Sequence, residues 1–307
     1  MIADFILQLA LLLVVPPLLM GVIQKTKAWF GGRRGPPLLQ PYRDVFKLLR
    51  KGAVYSRTTT WIFRAGPIVS LATMICAGLL LPLADDVSPL GFRGDVILFA
   101  YLMGLGRFFT IAAALDTGSS FEGMGASREA AFSTFAEVAL FLALASICVP
   151  AGSATFAHAF ETLRGPTWGV FHPAYLPAAI ALMVVLLTEC SRIPVDDPAT
   201  HLELTMVHEV MVLDHGGPDL AFILYASAMK LFVLGALFVH VVLPVSFAEA
   251  PAGLAWLCGG ELAVAVFVGV IESVVARLRL PRVPQFLVGA AVLAAIGLVA
   301  VLYRGAT

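Results

Sequence analysis

The chain has 307 residues, of which 60% are apolar and 13% charged, with twenty basic residues balancing twenty acidic ones. Ordinary soluble domains are about 45–50% apolar and about 25% charged, so this composition, with a mean hydropathy of +0.92, excludes a soluble globule. The zero net charge says nothing about partners, and no nucleic acid is expected.

Apolar residues come in eight runs, at about 3–23, 62–83, 96–115, 130–150, 173–190, 220–243, 253–275 and 283–303. Each is near the ~17–25 residues that cross the hydrocarbon core as a helix, and backbone in lipid must satisfy its own hydrogen bonds. The expected fold is an all-α integral membrane protein, a single membrane domain over 1–307 with about eight transmembrane helices. The first run has no basic residue ahead of it and no small-residue cleavage site, and reads as a retained span rather than a signal peptide. No motif repeats between the two halves, which gives no support to an inverted-repeat transporter.

The loops 24–61, 116–129, 191–219 and 276–282, with their flanks, hold fifteen of the twenty Lys and Arg residues, against Arg93, Arg164 and Arg304 on the opposite side. Arg107 and Lys230 fall inside expected spans. The excess of basic residues marks the odd loops as cytoplasmic and both termini as outer; the expected location is a prokaryotic cytoplasmic (inner) membrane.

The first loop carries Arg33 and Arg34 in a Gly- and Pro-rich turn, then Gln40-Pro41 at a helix start and the segment Arg43, Asp44, Lys47 with Val45, Phe46, Leu48 and Leu49 as an apolar stripe. A short amphipathic helix at the interface fits this pattern. Two uses stand side by side: anchoring to lipid headgroups, and docking of a soluble partner. In the third loop, Asp116–Glu129, Ser127 is a candidate cap for the fourth span, with Arg128 and Glu129 in its first turn.

The fifth loop is the densest ionisable stretch, Leu187–Asp219. Pro194 and Pro198 break the helix, and Ala199–Leu213 is expected to resume as a surface helix with Asp197, His201, Leu204 and His208 on one face. Histidines seven apart on a helix lie about 10.5 Å apart along its axis, too far for one ion, and the H-E-x-x-H spacing is missing; no metal site is expected. The four cysteines at 76, 148, 190 and 258 form no C-x-x-C pair, so any redox centre belongs to another subunit.

Ionisable groups at bilayer depth cost about 2.5–3.5 kcal/mol each and carry a functional hypothesis by default. The spans contain or abut Arg107, Glu137, Glu189, Lys230, Glu261 and Glu272. With Asp196 and Glu203 of the fifth loop, the carboxylates Glu137, Glu189 and Glu272 form a candidate proton pathway steered by Arg107 and Lys230. The alternative is static pairing, in which Arg107 and Lys230 only neutralise Glu137 and Glu189. No nucleophile–base pair appears, and no catalytic residue is expected.

Three runs carry a family resemblance. The segment R-G-P-P-L-L-Q-P-Y-R-D-V-F-K-L-L, from Arg34 to Leu49, resembles the first-loop motif of the membrane subunit that joins the two arms of proton-pumping NADH:quinone oxidoreductase, subunit 1 or H of respiratory complex I. Arg128 and Glu137 resemble that family's R…Y-E pair, with Ala136 in the tyrosine's place. Glu189, Arg192, Pro194 and Asp196 match its E-x-x-R-x-P-F-D run, with Val195 for phenylalanine. The compact G-P-P-L-L-Q-P form and the replacement of the glutamate ladder by Asp197, His201, Glu203 and His208 are similar to the formate hydrogenlyase and hydrogenase-4 branch of membrane-bound group 4 nickel–iron hydrogenases.

That resemblance implies a non-catalytic anchor and coupling subunit. It implies hydrogenase large and small subunits, with a nickel–iron centre and iron–sulfur clusters, docked on the cytoplasmic face, and antiporter-like subunits alongside in the bilayer. Docking candidates are Arg33, Arg34, Gln40, Arg43, Asp44, Lys47, Arg128, Arg192, Asp197, His201 and His208. Two alternatives stay open: a subunit forming the quinone chamber of a complex I-like enzyme, and a free-standing secondary ion transporter.

Overall fold

The computed structural model describes residues 2–83, 88–164, 173–197, 206–243 and 252–305, so His201 and Glu203 lie outside the described residues. The elements in order are α1 (Ile2–Phe30), α2 (Gln40–Leu49), α3 (Trp61–Leu80), α4 (Asp95–Asp116), α5 (Ser120–Ala151), α6 (Phe156–Arg164), α7 (Leu176–Glu189), α8 (His208–Met211), α9 (Gly217–Val242), α10 (Ala252–Val274) and α11 (Val283–Gly305), with no strand among the described residues. All eight expected spans are helical. Seven are long and apolar enough to cross a membrane; the eighth, α7, is apolar but shorter.

Helix α9 is the central post. It packs on α1, α2, α3, α7 and α10, and 67% of its span is buried inside the protein against 28% for α11, which leaves α11 facing outward. Phe99 of α4, Phe156 of α6 and Phe232 of α9 fill the centre of the bundle with Leu12 and Leu19 of α1. The antiparallel pair α3 and α4 is tied where the two meet at the basic end. Asp116, the last residue of α4, accepts hydrogen bonds from the Thr60 backbone and hydroxyl, and the Thr60 hydroxyl in turn caps α3 at Ile62.

Helix α1 contains Pro16 and Pro17. A proline within a helix has no N–H for the carbonyl four residues back, so Pro17 frees the carbonyl of Leu13, and Tyr225 of α9 donates its hydroxyl to that oxygen. Tyr42 of α2 donates to the neighbouring Val14 carbonyl. Two helices thus dock on α1 beside its proline pair. Gly21 completes the junction: a Cβ there would lie 2.1 Å from the Leu38 carbonyl oxygen, so glycine lets the Pro-Pro-Leu-Leu strap cross α1 before α2 begins.

Two local expectations change. Helix α5 starts at Ser120, so Ser127 sits inside it with its hydroxyl on the Met124 carbonyl rather than capping a later start. The expected surface helix over 199–213 lies partly outside the described residues. Where described, it is the four-residue turn α8, with Val210 and Met211 buried. Both differences have one cause: Met206, Val210, Met211 and Val212 form a small apolar cluster with Ala126 of α5 and Ala114 of α4. The Gly-rich stretch before Arg128 is helix because it supplies the floor for that cluster.

Candidate functional site

Glu189 ends α7 and is 5% exposed. Arg107, in the middle of α4, reaches it with one guanidinium nitrogen at 2.5 Å and reaches Glu137 of α5 with the other, also at 2.5 Å. Lys230, halfway along α9, lies 3.4 Å from the second oxygen of Glu189 and bonds the Glu189 backbone carbonyl at 3.2 Å. Four helices thereby place two carboxylates and two cations in one chain of contacts. The two carboxylates differ in setting. The Glu189 side chain is 2% exposed, whereas that of Glu137 is 41% exposed on the outer surface of the bundle.

Beside this cluster is a cavity of about 40 Å³ lined by Ser70, Arg107, Glu129, Glu189, His208 and Lys230 among others. A water needs roughly 10–15 Å³ of such space and two to four polar partners, so the cavity suits a short file of water. Small-molecule sites are about 300–1,000 Å³, far larger than this one. His208 belongs to the cavity rather than to a surface face. Burial, with help from Lys230, pushes its imidazole down to about 4, so it is neutral at ordinary pH.

A second ionic knot closes the basic end of the bundle. Glu272, near the end of α10, is met by Lys27 of α1 at 2.7 Å and by Arg192 of the fifth loop at 3.1 Å; Arg192 also reaches the Met20 sulfur at 2.7 Å. Alongside, Asp196 pairs with Arg277 at 2.8 Å and accepts the His208 and Asp197 amides. Burial pushes the Asp196 carboxyl up against the pull of those partners. The Pro194 carbonyl accepts the Leu278 amide and fastens the fifth loop to the seventh.

The arrangement of loops and buried charges on eight apolar helices has a counterpart among known proteins: the model of a family described as NADH dehydrogenase matches residues 3–303. The chain belongs to that family. It is 32% identical over 291 residues to formate hydrogenlyase subunit 4 of Escherichia coli, covering 91% of this chain and 92% of that protein. It is 34% identical over 242 residues to hydrogenase-4 component C of the same organism, covering 79% and 75%. Among solved structures it is similar to a chain of the membrane-bound sulfane sulfur reductase, an archaeal respiratory membrane complex, with a TM-score of 0.85, 25% identity and 98% and 99% of the two chains covered. The resemblance drawn from the three sequence runs holds for the family and for its hydrogenase branch.

Within this family fold, the structure sorts the expected residues into three places. Arg107, Glu137, Glu189 and Lys230 come together at the cavity; Glu272 and Asp196 belong to the knot at the basic end. Of the docking candidates, Arg43, Asp44 and Lys47 are exposed on α2, and Gln40 is spent on a 2.8 Å hydrogen bond to Asp44. Arg192, 7% exposed, and Arg128, whose guanidinium bonds the Met206 carbonyl at 2.9 Å, are turned inward. Both hold the fifth loop through acceptors inside the fold, with Arg192 buried and Arg128 half-buried. Arg128 also does not pair with Glu137. Asp197 is half-buried beside Asp196.

Two carboxylates escaped the sequence reading of the pathway. Glu129 lines the cavity, although it stood in what looked like a polar loop; the only signal was its place on the helix that also carries Glu137. Glu261 of α10 is fully buried against the backbone of Gly235 in α9, with neither carboxyl oxygen hydrogen-bonded among the described residues. Its type and depth were the signal, and its lack of a cation could not be read from spacing. Among the described residues no cluster of His, Cys, Asp and Glu could hold a metal ion.

Proposed function

We propose that this chain is the membrane anchor and coupling subunit of a group 4 nickel–iron hydrogenase complex of the formate hydrogenlyase kind. The observation that carries the reading is the forked Arg107, which joins a buried carboxylate beside a water-sized cavity to a second carboxylate exposed at bilayer depth. When Glu189 takes up a proton, it gives up its negative charge, and the guanidinium is left to Glu137 alone. A change of charge at Glu189 is thus felt at Glu137 through the shared guanidinium, and static pairing becomes a coupling between the two carboxylates. Lys230, Glu129 and the neutral His208 hold the intervening water.

The exposed Glu137 also supports a membrane partner. A carboxylate at bilayer depth faces protein or water rather than lipid tails, so an antiporter-like subunit covers this side of α4 and α5. At the basic end, facing the cytoplasm in this reading, α2 with Arg43, Asp44 and Lys47 docks the soluble arm. His201 as a docking residue and Glu203 as a pathway residue are proposed on their sequence position alone. The redox centres, a nickel–iron site and iron–sulfur clusters, belong to that arm. The small volume of the cavity favours water over a quinone headgroup, and so favours the hydrogenase reading over a quinone chamber.

The experiment is a gentle-detergent purification through this chain, with metal and cofactor analysis of the material that accompanies it. Nickel and iron in a stoichiometric soluble arm is the expected result. Flavin and quinone without nickel would transfer the chain to the quinone branch, and a lone polypeptide that moves ions by itself would make it a free-standing transporter.

A further inference from the structure

At the basic end, on the outer side of the bundle, α1 and α10 enclose a groove of about 690 Å³. Its rim is Lys25, Arg33 and Arg34, its wall Trp29 and Phe30, and its floor Val266 and Val270 of α10. The cations are unneutralised: among the described residues no carboxylate pairs with any of the three, whereas Lys27, on another face of the same helix, is matched by Glu272 at 2.7 Å. We propose that this groove binds one anionic diacyl phospholipid, its phosphate held by Lys25, Arg33 and Arg34 and its chains lying along α10.

The groove is built rather than incidental. Helix α1 ends in a glycine turn in which Gly32 has φ +63°. The Gly32 amide bonds the Trp29 carbonyl and the Arg33 amide bonds the Ala28 carbonyl, the paired bonds of a Schellman ending. That ending brings the two arginines to the same groove as Trp29. Lys25 then pins the strand by donating to the Arg34 carbonyl at 2.7 Å, which leaves two ammonium donors for a ligand. The floor is fixed as well. Gly269 of α10 lies so close to α1 that a Cβ there would sit 2.7 Å from the Thr26 side chain, which locks the two helices beside the groove.

The chemistry selects the occupant. Three cations above an apolar floor, with an indole and a phenyl ring at the same level, match the order of a lipid at the interface: phosphate, glycerol, then hydrocarbon. Towards the opposite end, the outward face of α10 stays apolar through Leu262, Val266 and Phe267, all exposed, and gives the chains a track. An acidic peptide would have to lay its charged flanks on that same wall. This assignment places Arg33 and Arg34 on lipid rather than on the docking face, and it stands apart from the hydrogenase reading, since it needs only that the chain spans a bilayer.

Trp29 supplies the readout. The complex purified through this chain is reconstituted in phosphatidylcholine bilayers carrying a minor fraction of brominated phosphatidylglycerol or of brominated phosphatidylcholine, and the Trp29 signal is taken as the difference between wild type and W29F. The expected result is severalfold stronger quenching by the brominated anionic lipid. That excess is lost in R33Q/R34Q, kept in R33K/R34K (which also reports that the turn still folds), and unaffected by added inorganic phosphate. Equal quenching by the two lipids, or an excess that survives R33Q/R34Q, overturns the proposal. So does an excess abolished by phosphate, which would mark a site for soluble anions, and so does a Trp29 reached by neither lipid, which would mean that a protein covers the groove.

Discussion

Glu189 and Glu272 have nearly the same ionic company. Each is a buried carboxylate flanked by two cations from other parts of the chain, Arg107 and Lys230 for the first and Lys27 and Arg192 for the second. What differs is what lies behind them. Glu189 borders a cavity and shares its arginine with a further carboxylate that reaches the outer surface, while Glu272 joins α1, α10 and the fifth loop and ends on the Met20 sulfur. Composition therefore does not separate a relay from a clamp. The separation comes from whether the shared cation has a second carboxylate to serve and whether water has room beside it.

The comparison is open to breaking at either side. Glu189→Gln keeps the size of the side chain and removes the acid. Proton movement by the reconstituted complex should then fall by about 10²–10⁴-fold, the usual worth of a positioned acid–base group, while dye-linked hydrogen turnover of the soluble arm persists. Transport left intact would make Glu189 as static as its counterpart. Glu272→Gln should do the reverse: it leaves Arg192 buried beside an incomplete partner, at a cost of about 3 kcal/mol, read as a lower melting temperature of the complex with transport per assembled particle unchanged.

The cavity side has its own pH signature. His208 has its proton affinity depressed from 6.5 to about 4, so its contribution to stability is complete above about 6.5 and is lost as pH falls from there towards 4. His208→Asn should flatten the fall in melting temperature over that window, and a slope unchanged by the substitution would remove His208 from the buried cavity. The smallest effect belongs to the α1 junction. Tyr225→Phe deprives the Leu13 carbonyl of its donor at about 1 kcal/mol, a small drop in melting temperature with no change in transport.

The spans were legible because each is an unbroken apolar run, and even the short α7 stands where the sequence places it. The idea that Arg107 and Lys230 face Glu137 and Glu189 was also within reach, since buried charges need partners. What spacing could not give was the fork: Arg107 and Glu189 are 82 residues apart, and Arg192 and Glu272 are 80 apart, so both contacts depend on how the helices pack. The start of α5 was hidden for a related reason. Asp116–Glu129 reads as a polar loop, and only the arrival of Val210 and Met211 makes its glycines and alanines a helical floor. Arg128 and Arg192 looked like docking residues because basic residues in loops usually face water, but here their acceptors are backbone and carboxylate inside the fold.

The exposed Glu137 has a consequence for how much of this protein a cell keeps. A lone copy inserted in the bilayer holds that carboxylate against hydrocarbon, at a cost of about 2.5–3.5 kcal/mol, until a neighbouring subunit covers it. A copy without that neighbour is therefore the less stable one, and its persistence in the bilayer is tied to assembly. Glu137→Gln would relax that tie: the orphan chain should persist longer in a pulse-chase when its partners are deleted.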